Sequence, residues 1–188
     1  MSKIGITGTI ASGKTMVSVY LKSKGFYVFD CDEYNSYLLE EGNEGYNFVK
    51  SCFPETIINN KLNRKKLASI VFSDTKQKEK LESFLHPLII SKLIEESDKY
   101  DLFFAEVPLL FEKDLKHLFD KVWLLVSDDD TCINRLIEKG YTRTEAIERI
   151  NSQFSIDIKK KMSDEILYNN SDFEHLYAQI DWLLKDVR

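Results

Sequence analysis

Gly8-Thr9-Ile10-Ala11-Ser12-Gly13-Lys14-Thr15 is the stretch that decides how this chain folds. It follows the apolar run Ile4-Gly5-Ile6-Thr7 and leads into Met16-Val17-Ser18-Val19-Tyr20-Leu21-Lys22. Strand, glycine-bounded loop and helix, in that order, are the context the phosphate-binding pattern G-x-x-x-x-G-K-[ST] requires. Gly8 and Gly13 permit backbone angles closed to other residues, so successive N–H groups can converge on phosphate oxygens. The helix opening near Lys14 adds unpaired N–H groups and the positive end of its dipole. Lys14 can reach the β- and γ-phosphates, and the Thr15 hydroxyl can ligate Mg²⁺. The stretch from Thr9 through Met16 is thus the expected binding site for a nucleoside triphosphate.

Composition sets the bounds. The 188 residues are enough for one domain with a sizeable core. With 26 basic and 31 acidic side chains, a net charge of −5 argues against a dedicated nucleic-acid or membrane-surface protein. An anionic substrate therefore needs locally clustered Lys and Arg. Cys31, Cys52 and Cys132 are widely spaced and form no C-x-x-C pair or disulfide framework, which suits a reducing cytosol. No leader pattern precedes the first strand, and no apolar run approaches the roughly 18 residues of a membrane span. A soluble, cytoplasmic protein is expected.

Downstream of the first helix, Gly25 is a plausible stop and Phe26-Tyr27-Val28-Phe29 reads as a second strand, ending in Asp30-Cys31-Asp32. A right-handed crossover makes it parallel to the first, so Asp30 and Asp32 are expected at the edge where open α/β sheets bind ligands. From Glu33 to about Tyr100 the pattern is helical: 34–39, 45–53, 64–72 and 76–100, with Pro87 expected to kink or restart the last. Asn60 to Asn63 reads as a loop. Leu102–Ala105 and Val122–Val126 are buried strands, with Asp128 to Asp130 placed to cap the following helix. A polar helical region rich in Arg and Lys spans 135–161. A short strand at 165–168 and an amphipathic helix at about 173–184 complete the chain.

Asp32 carries two readings. A carboxylate at a strand edge opposite a phosphate-binding loop can act as general base for an attacking hydroxyl, and it can equally cap the helix before Tyr34. His86 before Pro87 can terminate a helix, and His117 and His175 lie in polar surroundings. No His/Cys cluster suggests zinc.

Taken together, these motifs resemble the dephospho-CoA kinase family over nearly the whole chain. The loop G-I-T-G-T-I-A-S-G-K-T is similar to the family's, and D-C-D at 30–32 resembles its D-A-D. L-N-R-K-K-L-A-S-I-V-F at 62–72, His86-Pro87, P-L-L-F-E at 108–112, R-I-x-x-Q at 149–153 and Asp164 to Asn169 follow in the family's order. The resemblance implies a P-loop NTPase-type three-layer α/β/α fold with a five-stranded parallel sheet. Residues 1–32, 101–138 and 164–188 would form the nucleotide-binding core, 33–100 a helical acceptor-binding insertion, and 139–163 a small lid. It implies transfer of the ATP γ-phosphoryl group to the ribose 3′-hydroxyl of dephospho-CoA, with Mg²⁺, in a likeness to monomeric small-molecule kinases that bind neither nucleic acid nor membrane.

Carried over by motif, Asp32 would be the general base and Lys14 the phosphate clamp. Arg64, His86, Pro87, Glu106, Leu109, Leu110 and Glu112 would hold the acceptor, with Asn169 near adenine. Departures from the family pattern are Glu106 for Asp, Asn63 for the Asp before Arg64, Cys132 for Gln, Ser171 for Gly, and Lys139-Gly140 for the lid's Arg-Asp. Lys supplies charge without the planar fork, so Arg143 or Arg149 is expected to carry the bidentate contact. Another small-molecule kinase, or a nucleotide-binding module without transfer activity, are the rival readings. A GTPase is disfavoured because Asn63 stands where N-K-x-D needs Asp.

Overall fold

The computed structural model describes residues 1–187; Arg188, the last residue of the expected core range, lies outside them. In chain order the elements begin with β1 (Ser2–Gly8), α1 (Lys14–Ser23), β2 (Val28–Asp30), α2 (Cys31–Leu38) and α3 (Glu44–Cys52). A hairpin of β3 (Ile57–Ile58) and β4 (Lys61–Leu62), then α4 (Arg64–Ser73) and α5 (Thr75–Ser97), lead to β5 (Leu102–Glu106) and β6 (Lys121–Val126). The chain continues through α6 (Asp129–Glu138), α7 (Arg143–Asn151), α8 (Ile156–Met162), β7 (Glu165–Tyr168) and α9 (Phe173–Asp186).

It falls into two compact units, one of Met1–Asp30 with the chain from Glu96 onward, the other of Cys31–Glu95. The first unit holds a five-stranded parallel sheet in the order β2-β5-β1-β6-β7, with helices on both sides. β1 sits at the centre because Ile4 to Gly8 is buried on both faces, the continuous apolar pattern that a covered parallel strand needs. Ile4, Ile6, Phe104, Trp123 and Leu125 form the heart of its core against Val17 and Leu21 of α1 and Leu176, Ile180 and Leu183 of α9. Phe103, Phe104 and Trp123 are fully buried, as strand residues of this kind should be. No helix among the described residues is long and apolar enough to cross a membrane.

The second unit packs Leu38, Leu39, Val49, Phe53, Leu67 and Leu85 together, with Phe48 stacked on Phe84 at 4.0 Å between ring centroids. Of the two outcomes expected at Pro87, the restart does not occur: Pro87 lies inside one helix, α5. A mid-helix proline costs about 3 kcal/mol. The apolar residues on both sides of it, Leu81, Phe84, Leu85, Leu88 and Ile89, all pack into one cluster, and that shared burial holds the helix through the break. The expected loop at Asn60 is a hairpin turn, with Asn59 and Asn60 at φ 50° and 59°, the left-handed pair that a tight two-residue connection requires. Asn63 caps α4 by accepting the Lys66 N–H at 3.0 Å, so the Asp-to-Asn departure keeps the cap.

A correction concerns α6. Asp128 is its N-cap residue but makes no side-chain cap bond. Its carboxylate instead accepts from Asn170 Nδ2 at 2.9 Å while its own N–H donates to Asn170 Oδ1. That exchange ties the start of α6 to the end of β7.

α7 opens on a capping box. Thr142 Oγ1 accepts the Glu145 N–H at 3.2 Å, and Glu145 Oε2 accepts the Thr142 N–H at 2.7 Å. The Thr142 backbone N–H, followed by its hydroxyl, holds the Glu145 carboxyl below the ordinary carboxylate range. Because the folded value is depressed, this contribution is present above the unfolded Glu value of about 4.3 and is lost as pH falls through the folded one. Thr142→Ala is expected to cost about 1 kcal/mol of local helix stability, read as faster amide exchange over residues 143–151. Wild-type protection there should weaken on acidification below about pH 4 once intrinsic exchange is corrected for.

Candidate active site

β1 ends at Gly8 in the middle of the sheet, and α1 starts six residues later, so the intervening loop lies at the C-terminal edge of the strands. Within the loop Ser12 N–H bonds to Thr9 O at 3.1 Å. Ala11 at φ 62° and Gly13 at φ 101° are both left-handed, the alternation that turns successive N–H groups into one concavity. Two close approaches demand glycine. A Cβ at Gly8 would stand 2.4 Å from Leu125 O, and one at Gly13 would stand 2.4 Å from Asn169 Nδ2.

The loop is braced from behind. Ser12 O accepts from Asn169 Nδ2 at 2.8 Å and from Arg135 Nη1 at 3.1 Å, and Ser127 Oγ lies 3.0 Å from it. Arg135 Nη1 also donates to Ala11 O at 3.0 Å. Asn169 is almost wholly buried at the end of β7. Arg135 braces the loop, and sequence reasoning left it out of the site. Its position on α6, directly after the sheet strand β6 and three residues beyond Cys132, was the available signal. Cys132 itself is buried, and that burial pushes its thiol up, keeping it neutral.

Lys14 is only 8% exposed, with Nζ curled back onto Gly8 O and Thr9 O at 3.2 Å each. The loop's own carbonyl dipoles satisfy the ammonium. Next to Lys14 in the chain, Thr15 Oγ1 lies 3.5 Å from Glu106 Oε1, and one turn along Ser18 Oγ donates to Glu106 Oε2 at 2.6 Å. Glu106 is buried at the end of β5, in register with Ile6 of β1 and Asp30 of β2. An alcohol and a carboxylate side by side are hard oxygen donors. They suit Mg²⁺, which takes one or two protein oxygens and completes its octahedron from phosphates and water.

The P-L-L-F-E string divides in two. Leu110 is fully buried, close enough to β1 that a Cβ at Gly5 would come within 2.7 Å of its Cδ1, so it shapes the core beneath the loop. Leu109 is half-buried. Glu112 points inward: its Oε1 lies 2.9 Å from Nζ of the fully buried Lys159 and accepts the Phe154 N–H at 3.0 Å.

In the basic segment, Arg143 is well exposed, its Nη2 3.6 Å from Asp130 Oδ1. Arg149 lies over the Tyr141 ring at 4.4 Å. Within this polar segment, Ala146 and Ile150 pack with Ile133 and Leu136 of α6 and with Ile10 and Ala11 of the loop.

In the second unit α2 starts at Cys31, so Asp32 sits exposed in the first turn and not at the N-cap. Arg64 opens α4 and donates from Nη2 to Ser36 O of α2 at 2.9 Å. His86 is half-buried and Pro87 exposed on α5.

A family model described as dephospho-CoA kinase matches residues 2–175. The chain belongs to the dephospho-CoA kinase family. A curated dephospho-CoA kinase of Shouchella clausii is 34% identical over 186 residues, covering 95% of this chain and 94% of that one. Among solved structures, one from Thermus thermophilus is similar at TM-score 0.87 and 31% identity, covering 100% of this chain and 98% of the other. A dephospho-CoA kinase from Campylobacter jejuni is similar at TM-score 0.73 and 27% identity, covering 98% and 96%. This chain is therefore a P-loop kinase of that family, with ATP as the family's phosphoryl donor.

Proposed function

We propose that this kinase transfers the γ-phosphoryl group of ATP to the ribose 3′-hydroxyl of dephospho-CoA, giving coenzyme A and ADP. The observation that carries the reading is the braced loop, with Lys14 and Thr15 intact beside a buried carboxylate, in a chain of this family. Phosphoryl transfer asks mainly for positioning and charge neutralisation, and each proposed role supplies one of these. Thr9 to Met16 wrap the phosphates, and Lys14 leaves the Gly8 and Thr9 carbonyls to meet the β- and γ-oxygens. Thr15 and Glu106 would hold Mg²⁺, which would supply neutralisation of phosphate charge. Asp32 takes the proton from the attacking hydroxyl. Arg64, His86, Pro87 and Leu109 hold the acceptor. Leu110 and Glu112 act from beneath by fixing the loop after β5, and Asn169 reaches adenine's side of the site from the end of β7.

Residues 139–163 are proposed as the lid, within a monomer working in the cytoplasm on small molecules alone. In that role Arg149 would turn its guanidinium from Tyr141 to the transferred phosphate. Arg149→Lys keeps the charge and the ring contact but removes the fork. It should lower kcat several-fold or more, while Lys139→Ala has the smaller effect. Equal and negligible effects of both substitutions would remove the lid role from this segment. The central experiment is an ADP-release assay with ATP, Mg²⁺ and dephospho-CoA, the product checked by mass for one added phosphate. Turnover with a nucleoside monophosphate in place of dephospho-CoA would overturn the assignment.

A further inference from the structure

The turn after α7 is bound to the phosphate loop by contacts that the reaction, as described above, does not use. Ile10 N–H donates to Gln153 Oε1 at 3.0 Å. That N–H belongs to the same peptide plane as the Thr9 carbonyl, which accepts from Lys14 Nζ at 3.2 Å and from the Ser12 N–H at 3.1 Å. A peptide unit is planar, so fixing its N–H fixes the direction of its C=O. Whatever holds Ile10 N–H therefore sets where Lys14 rests.

Gln153 is itself held. Its own N–H donates to Ile150 O at 3.2 Å, and the neighbouring Phe154 N–H donates to Glu112 Oε1 at 3.0 Å. That oxygen faces the ammonium of Lys159, whose side chain has no exposed surface. A buried lysine is tolerated only where an opposite charge meets it, and removing one partner of such a pair is strongly destabilising. The Glu112–Lys159 pair thus nails the turn 153–155 to the segment after β5. Sequence separation makes the link more telling: Ile10 and Gln153 are 143 residues apart, and Glu112 and Phe154 are 42 apart.

We propose that Gln153 is a positioning residue for phosphoryl transfer. It orients the Thr9–Ile10 peptide and through it Lys14, and the buried Glu112–Lys159 pair keeps it in place. The proposal rests on the reading of Lys14 as the phosphate clamp. It also explains why a glutamine, with an uncharged carbonyl, stands here: a carboxylate would make the same hydrogen bond but bring negative charge to a loop meant for phosphate.

The test uses the whole protein without nucleotide first. Residue-resolved amide exchange should show Ile10 exchanging tenfold or more faster in Gln153→Ala, with the β6 amides of 122–126 as protected as in wild type. Gln153→Glu retains an acceptor oxygen and should keep Ile10 protected. Lys159→Met should also speed Ile10 exchange. In the kinase assay Gln153→Ala should lose several-fold in kcat with the KM for dephospho-CoA unchanged. Unchanged Ile10 exchange in Gln153→Ala would overturn the proposal, as would a rise shared equally by β6, which marks general loosening. Faster Ile10 exchange with wild-type kcat would overturn the positioning role. Because the exchange measurement needs no substrate, failure to phosphorylate dephospho-CoA would fall on the functional reading alone.

Discussion

Lys14→Ala is expected to lower kcat by about 10²–10³-fold, the usual cost of removing one preorganised charge from a developing transition state. The structure sharpens how this must be measured. Lys14 is tucked against the Gly8 and Thr9 carbonyls, so alanine deletes two loop hydrogen bonds along with the charge. Lys14→Met loses the same bonds and charge but keeps the stem, so it should separate the ammonium's contribution from that of the side-chain packing. Both variants should lose turnover, and the alanine variant should show the faster exchange across residues 9–13. The β1 core should survive in either, because Ile4 and Ile6 pack independently of the loop. Near-wild-type turnover in both would remove Lys14 from the chemistry.

Asp32→Asn is expected to lower kcat by about 10²-fold or more, with much less change in the KM for dephospho-CoA. Asparagine keeps the shape and most hydrogen bonding but cannot accept a proton at neutral pH. The capping alternative has lost its geometric basis, since α2 begins at Cys31 and places Asp32 inside the first turn. An acidic residue there still favours the helix dipole, worth typically 0.3–1 kcal/mol, and that share should show as a small loss of stability in Asp32→Asn. A mutant that loses only affinity would make Asp32 a substrate-positioning residue. One unchanged in kcat and KM would remove it from the reaction.

What the sequence determined by itself is local or contiguous. The loop from Gly8 to Thr15 announces its bend through two glycines, its helix through the residues that follow, and its ligand through Lys and Thr. The strands at 102–105 and 122–126 declare themselves as unbroken apolar runs, because a covered parallel strand has no solvent face to alternate with. Asn63 and Thr142 cap helices by rules that span three residues. Tertiary structure decided the rest, and in each case the deciding partner is far away in the chain. Pro87 stays inside a helix because packing on both its sides outweighs a local penalty. Asp128 abandons its cap because Asn170 reaches it from β7. Arg135, Gln153 and Lys159 look from sequence like polar residues of one basic helical region. Only the return of α6, α7 and α8 to the edge of the sheet aims Arg135 and Gln153 at the loop and buries Lys159 against Glu112. A lysine on a helix is normally solvated, so nothing short of the folded neighbourhood could mark this one as interior. Its burial is tolerable because an ion pair formed across the fold meets its charge, and no window of sequence contains that partner.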